Sequence, residues 1–373
     1  MKYPFLNLAD ANAPYLSEIQ EAVARVAASG RYIGGEENQR FESNLSELTA
    51  GAHIVAVSNG LDALRLMMHA LVITGKLNKG DEVIVPANTY VATILAIIDA
   101  GLTPVLAEPS PVTHNLDTDR LAEYLTPLTR AVMTVHLYGR PCFDSALRDF
   151  CIANNLLILE DNAQAIGAVA ETEGFNQSAV TGSLGHAAAF SFYPTKNIGA
   201  MGDAGAVATF DSQLAAAVRA LANYGSDRRY HNIYAGFNCR MDPMQAAVLN
   251  VKLAHLDDEN LYRRHLASKY LRGIKNPLVT LPAELEKGSQ VWHQFVIRSD
   301  NRDRLRRYLD DNGVQTDIHY ATPPHLQPAL SHLPHAPLPI TEQLANEVIS
   351  LPITRTTSPT QAEEIAAIIN NYQ

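Results

Sequence analysis

The sequence predicts an α/β protein in which a mostly parallel sheet lies between helices, followed by a smaller C-terminal α+β region. Three observations carry this. Seven short apolar runs recur between residues 53 and 210, several of them apolar throughout instead of alternating, which is the pattern of strands covered on both faces. Stretches with helical periodicity separate some of those runs, as crossovers between parallel strands require. A chain of 373 residues with 47% hydrophobic composition has material for one large core and a second, smaller one.

In chain order, strands are expected at 53–58, 82–87, 104–108, 131–139, 156–161, 187–194 and 204–210, with helices over 61–75, 90–100 and 211–224. From Asp242-Pro243 one long helical pattern runs to about residue 271 and carries the chain out of the large domain, so the domains are expected at 1–250 and 251–373. A strand over 291–298, a helix over 302–312, a strand over 317–320 and a closing helix follow. Ser358-Pro359-Thr360-Gln361 opens that last helix: serine caps, proline suits the first helical position and glutamine reaches back. Residues 171–183, broken by glycine and serine and lacking apolar period, read as a surface excursion. No repeat or low-complexity tract is present in the sequence.

The formal net charge of −10, from 39 acidic and 29 basic side chains, gives no electrostatic footprint for nucleic acid or an anionic membrane. An anionic ligand must then be held by a local site. Cys142, Cys151 and Cys239 have neither a paired count nor metal-ligand spacing, which argues against a disulfide framework and a zinc site and fits a reducing compartment. The opening Met1-Lys2-Tyr3-Pro4-Phe5-Leu6 lacks the apolar core of a signal peptide, and no stretch approaches the roughly 20 apolar residues of a membrane span. The expectation is a soluble cytoplasmic protein.

Ligands of open α/β sheets gather beyond the carboxyl ends of strands, and Ser58, Asp161 and Tyr193 fall at such ends. Lys196 follows a strand and precedes a glycine-rich loop, where its amine is placed to form a Schiff base. Asp161 offers a carboxylate to a pyridine nitrogen, whose protonation makes the ring an electron sink. Gly60 and Leu61, at the start of a helix, offer backbone amides to a phosphate, and Ser191 a hydroxyl. Gln164 can donate to a phenolic oxygen, and Tyr90 can stack on a ring. Singly, each has a plainer reading: a surface lysine, a turn aspartate, a core-edge serine, a core tyrosine. Amine, carboxylate and phosphate cradle together suggest pyridoxal phosphate.

Five segments in register carry a family resemblance: Ser58-Asn59-Gly60-Leu61-Asp62-Ala63-Leu64, Gly80-Asp81-Glu82-Val83-Ile84-Val85-Pro86, Glu160-Asp161-Asn162-Ala163-Gln164, residues 185–197, and Gly236-Phe237-Asn238-Cys239-Arg240-Met241-Asp242. Over nearly its whole length the chain resembles the DegT/DnrJ/EryC1/StrS sugar-nucleotide aminotransferases on the fold-type I scaffold. The resemblance implies Lys196 as the Schiff-base lysine, Asp161 as the pyridinium partner and Gln164 as the phenolic-oxygen contact. It also places Ser191, Gly60 and Leu61 at the phosphate. Many members carry threonine where Leu61 stands, so here only the backbone amide serves. Asn238 is implied to reach the cofactor phosphate of the neighbouring subunit, making a homodimer part of the site. The Asn-Gly-Leu-Asp-Ala-Leu form, Glu108-Pro109, and His319-Tyr320 followed by Pro323-Pro324-His325-Leu326-Gln327 look like the branch acting on dTDP-linked 3-keto-6-deoxyhexoses, in which Tyr193, His319 and Tyr320 line the sugar pocket. Arg228, Arg229 and Tyr230 lie on a loop that either holds the nucleotide pyrophosphate or is simply solvated.

The implied reaction moves an amino group from L-glutamate to sugar carbon 3, with Lys196 as both cofactor anchor and proton shuttle. A 4-aminotransferase of the same family and a non-catalytic cofactor-binding regulator stay open as alternatives. A sugar dehydratase is disfavoured, because such relatives carry histidine in place of the lysine.

Overall fold

The computed structural model describes residues 2–170, 180–285 and 289–373. Seven strands, β1 (His53–Val57), β2 (Glu82–Pro86), β3 (Thr103–Ala107), β4 (Thr129–Val135), β5 (Leu157–Asp161), β6 (Ala187–Ser191) and β7 (Gly205–Thr209), form one sheet in the order β1-β7-β6-β5-β4-β2-β3. Only β7 runs against the others: it pairs antiparallel with both β1 and β6, while the remaining pairs are parallel. The expected mixed α/β fold and all seven expected strands are present, and helices cover both faces. Strand β6 shows how. Its Ala187 and Ala189 join one hydrophobic cluster with Leu64, Met67 and Met68 of the Gly60–Ile73 helix, while Ala188 and Phe190 join another with Phe41 and Leu45 of the Glu36–Leu48 helix. Successive side chains of a strand point to opposite faces, so a run apolar at every position is buried on both.

The parallel arrangement gathers the carboxyl ends of β1, β5 and β6 on one edge of the sheet. Asp161 is the last residue of β5, Ser191 the last of β6, and Ser58-Asn59 leads from β1 into the Gly60–Ile73 helix. Beyond β7 and the Ser212–Ala222 helix a small hairpin follows, β8 (Ser226–Arg228) with β9 (His231–Asn232).

The long helix expected over 242–271 is two helices, Pro243–Leu253 and Leu256–Gly273. Asp257, Asp258 and Glu259 fill the first turn of the second, where acidic side chains favour a helix start. Just before the break, the buried Lys252 Nζ turns inward to donate to the Gly199 carbonyl at 2.5 Å. The strand expected over 291–298 is shorter, β10 (Phe295–Arg298), paired antiparallel with β11 (Val348–Leu351). Upstream, Val291 N–H donates to Gly139 O at 2.9 Å and Gln294 N–H to Tyr138 O at 3.3 Å. Backbone bonds spent on that turn are not available to a ladder. In place of the strand expected over 317–320, Asp317 alone bridges to Ser350, and the chain then turns toward the edge of the sheet. Ser358 and Gln361 form the expected capping box. Most of the segment expected to be a surface excursion, residues 171–179, lies outside the described residues.

A separate hydrophobic cluster joins Leu266, Tyr270, Phe295, Leu305, Ile349 and Ile365, and also takes in Tyr3 from the other end of the chain. Cys142, Cys151 and Cys239 are buried free thiols. Among the described residues no helix is long and apolar enough to cross a membrane.

Candidate active site

At the carboxyl edge of the sheet lies a cavity of about 510 Å³, lined among others by Gly60, Leu61, Tyr90, Asp161, Gln164, Ser191, Tyr193, Lys196, His319 and Tyr320. Ten sequence-expected residues from five separate segments therefore converge. The strand ends deliver Asp161 and Ser191, helix starts deliver Gly60, Leu61 and Tyr90, and the chain after β10 contributes His319 and Tyr320. The remaining four do not line this cavity. Asn238 is exposed, and Arg228, Arg229 and Tyr230 stand exposed on the β8–β9 hairpin, where the Arg229 guanidinium covers the Tyr230 ring at 4.9 Å.

One wall is built for an anion. The Asn59 side chain caps the Gly60–Ile73 helix by accepting from Asp62 N–H at 2.8 Å, leaving the amides of Gly60 and Leu61 at a free helix start. Gly60 is required by space. A Cβ there would meet Ser191 Cβ at 2.5 Å and Ser191 Oγ at 2.8 Å, closer than side chains approach. The absence of a side chain lets the helix start and the Ser191 hydroxyl close on one small volume. Gly205 has a related role, since a Cβ on it would lie 2.3 Å from the Asn59 carbonyl.

Asp161 is only 5% exposed, and burial raises its pKa above the usual carboxylate value, partly offset by its hydrogen bonds and by Lys196. Its Oδ2 accepts from Thr93 Oγ1 at 2.8 Å and its Oδ1 from Ala163 N–H at 3.1 Å. Thr93 Oγ1 lies 2.8 Å from Thr89 Oγ1. A buried carboxylate accepting two bonds keeps lone pairs for a cation on the ligand side. Gln164 is oriented from behind: Tyr138 N–H donates to its Oε1 at 2.6 Å, which points Nε2 outward to donate to Tyr320 Oη at 3.0 Å. The Tyr138 hydroxyl in turn donates to the His319 carbonyl. Tyr320 and Tyr90 rings pack 5.1 Å apart.

Lys196 projects from the tight turn after β6, where its N–H donates to the Tyr193 carbonyl at 2.8 Å. Burial draws the Lys196 amine down from its ordinary value to about 8, against the pull of Asp161. Among the described residues Nζ has no hydrogen-bond or ion-pair partner, which leaves a nucleophile free to react. His319 holds Ser350 Oγ at 2.8 Å through Nδ1 and has its pKa lowered, first by burial. Sequence reasoning missed Thr89, Thr93, Tyr138, Asn197 and His293. The threonines had a signal: one hydroxyl just before the helix that follows Tyr90 and one in its first turn stand within reach of each other.

Pyridoxal phosphate suits these residues. An unpaired amine, a buried carboxylate lacking a full counter-charge, an outward amide and a helix start closed to side chains match an aldehyde, a pyridinium, a phenolic oxygen and a phosphate.

Residues 15–370 match the model of the DegT/DnrJ/EryC1/StrS aminotransferase family. The chain is 45% identical over 369 residues, 99% of both sequences, to the dTDP-3-amino-3,6-dideoxy-alpha-D-galactopyranose transaminase of Aneurinibacillus thermoaerophilus. It is 43% identical over 94% of its length and 91% of the other's to the dTDP-3-amino-3,4,6-trideoxy-alpha-D-glucose transaminase of Streptomyces venezuelae. The crystal structure of DesV from S. venezuelae, in complex with a ketimine intermediate, superposes with a TM-score of 0.93 at 42% identity, covering 99% of this chain and 97% of that one. The family and its structural neighbours bind pyridoxal phosphate or its amine form. The chain belongs to the DegT/DnrJ/EryC1/StrS aminotransferase family and is a pyridoxal-phosphate-dependent sugar-nucleotide aminotransferase.

Proposed function

We propose that the protein transfers the amino group of L-glutamate to the 3-keto carbon of a dTDP-linked 3-keto-6-deoxyhexose, giving a dTDP-3-amino-3,6-dideoxyhexose. The observation that carries the chemistry is the Lys196 amine, without a partner among the described residues, sharing one cavity with Asp161 and Gln164. The choice of carbon 3 and of dTDP is supported by two relatives above 40% identity whose names agree on both. The sugar hydroxyls would meet Tyr193, His319 and Tyr320. A second subunit would bring Asn238 to the phosphate, with Arg228, Arg229 and Tyr230 at the pyrophosphate, consistent with their exposure on a single chain.

When bound, the cofactor supplies an aldehyde that exchanges amines and a ring that takes up the electron pair of the broken C–H bond. The side chains do the rest. Gly60, Leu61 and Ser191 would hold the phosphate. Thr93 and Ala163 N–H favour the charged form of Asp161 against the burial that disfavours it, and in that form it would stabilise a protonated ring nitrogen. Gln164 would donate its second amide hydrogen to the ring oxygen. Lys196, with a pKa near 8, both gives and takes a proton near neutral pH as general acid and base. Glutamate leaves as 2-oxoglutarate and the ketone oxygen follows it by way of water, so no outside oxidant or reductant is needed.

The test supplies purified protein with glutamate and, separately, dTDP-linked 3-keto and 4-keto 6-deoxyhexoses, and identifies the product by NMR. An amine at carbon 3 is expected, with Lys196→Ala lowering the rate by at least about two to four powers of ten. Amination confined to the 4-keto sugar would transfer the assignment to a 4-aminotransferase.

A further inference from the structure

Beside Lys196 stands a histidine that none of the roles above uses. His293 is buried, and its ring lines the same cavity. Its tautomer follows from the bonds around it. Asn260 Nδ2 donates to the Ile166 carbonyl at 3.1 Å, so Asn260 turns Oδ1 toward Asn197. Asn197 Nδ2 donates to that oxygen at 2.8 Å and to the Val291 carbonyl at 3.1 Å, which turns its own Oδ1 to His293 Nδ1, 3.2 Å away. An amide oxygen only accepts, so Nδ1 carries the proton.

Burial and the nearby Lys196, Arg263 and His319 hold this imidazole well below its ordinary pKa, so the ring is neutral and Nε2 is a bare lone pair. Among the described residues Nε2 has no hydrogen-bond partner. His293 lines both the cavity that holds Lys196 and the smaller one beside it. Lys196 Nζ, in the same cavity, needs an acceptor.

We propose that His293, locked as the Nδ1–H tautomer by the chain Ile166 carbonyl, Asn260, Asn197, holds Nε2 ready as the hydrogen-bond acceptor that the Lys196 amine, unbonded in this structure, meets when the bound cofactor is in its amine form, and is a positioning residue for it. This rests on Lys196 being the proton carrier of the proposed reaction. Asn197 follows Lys196 directly, so the side chain that orients the histidine also anchors the backbone from which the lysine projects. An acceptor bonds an ammonium more strongly than an amine, so His293 works against the burial that depresses Lys196. The other titratable groups sharing the cavity are Asp161, Asp203, His319 and the tyrosines. Behind the turn stand Lys252, Glu259, Arg263 and Arg355. Of all these, Asp161 alone shifts Lys196 appreciably.

The experiment measures the pH dependence of Lys196 labelling by an amine reagent, read by peptide mass mapping. It uses full-length protein loaded with pyridoxamine phosphate, in which the lysine is free. His293→Asn keeps a donor near the Nδ1 position and removes Nε2, whereas His293→Gln returns an acceptor near the Nε2 position. The Asn variant is expected to lower the apparent Lys196 pKa by about half a unit to one unit, and the Gln variant to restore most of it. An unchanged Lys196 titration in His293→Asn, or an equal fall in both variants, would overturn the proposal. Should the Asn variant not fold, a nitrogen NMR spectrum of histidine-labelled wild type decides: His293 must carry its proton on Nδ1, and a proton on Nε2 ends the idea. Neither readout uses a sugar, so failure of the proposed substrate would leave the result standing.

Discussion

Replacing Gly60 with alanine puts a methyl group where Ser191 already sits. Its Cβ would lie 2.5 Å from Ser191 Cβ, 2.8 Å from Oγ and 3.2 Å from Cα. Carbon atoms in good contact are about 3.5–4.0 Å apart, so the helix start and the end of β6 must separate by about an ångström. Overpacking of this kind costs about 1–3 kcal/mol, set against at most about 1 kcal/mol of helix propensity gained. Gly60→Ala is therefore expected to lower the midpoint of urea unfolding. It should also weaken pyridoxal phosphate binding about tenfold or more, because an ångström of displacement at an anion site loses aligned donors. The deciding comparison is with Ser191→Gly, which removes both of the closest atoms. In that background Gly60→Ala should cost less by about 0.5–3 kcal/mol, the range for contacting residues. An equal cost in both backgrounds would refute the steric argument.

Thr93→Val removes a hydrogen bond to a buried carboxylate at nearly constant volume, so the cofactor-free protein should lose about 1.5–3 kcal/mol at neutral pH. Because Asp161 has its pKa raised in the fold, that loss should shrink as the pH falls through the elevated value and the carboxyl is protonated; a pH-independent loss in urea unfolding would count against it. Lys196→Met should stabilise the cofactor-free protein near pH 7. The folded lysine titrates near 8 against 10.5 unfolded, so below pH 8 the fold bears the cost of a buried ammonium, and between 8 and 10.5 the unfolded chain holds the extra proton and stability rises with pH. The advantage of Met is expected at up to about 3 kcal/mol at pH 7, less what Asp161 loses when the nearby positive charge goes, and should narrow toward pH 10; a gap that does not narrow would show that Lys196 titrates normally.

The strands were legible because burial on both faces writes itself into the sequence as unbroken apolar runs, and the sheet edge that carries the site follows from their direction. Residues acting at a strand end or helix start, such as Asp161, Ser191 and Gly60, were legible for the same reason: their position along an element is their function. His293 had no comparable signal. Its tautomer depends on Asn197, Asn260 and the Ile166 carbonyl, three segments that meet only in the folded chain. The break after Lys252 was hidden too, since the apolar pattern continues across it and only the acidic turn at 257–259 marks a new start. Glu108, which the sequence offered only as a branch marker, has a physical task. Its carboxylate accepts from Ile340 N–H at 2.7 Å, Thr341 N–H at 2.9 Å and Thr341 Oγ1 at 2.6 Å, capping the Pro339–Glu347 helix from the end of β3. Such a task needs partners more than two hundred residues away, which no local pattern reveals.

The polar groups in and behind the cavity divide by whether the protein satisfies them. Gln164 Oε1, Thr93 and Asn197 are fully engaged with other side chains or backbone, whereas the Lys196 amine, one amide hydrogen of Gln164 and the free lone pairs of Asp161 face the cavity. Buried polar groups normally find partners, and leaving these three open, with His293 Nε2 beside them, costs stability. That cost has a purpose only if a ligand meets all three, and a single planar molecule with an aldehyde, a ring oxygen and a ring nitrogen does so. The engaged groups hold the open ones in place, which is how preorganisation lowers the later cost of reaching the transition state. A mutation in the engaged set should therefore disturb chemistry through geometry while leaving the reacting groups present, and Thr93→Val and His293→Asn are the two places to see that separation.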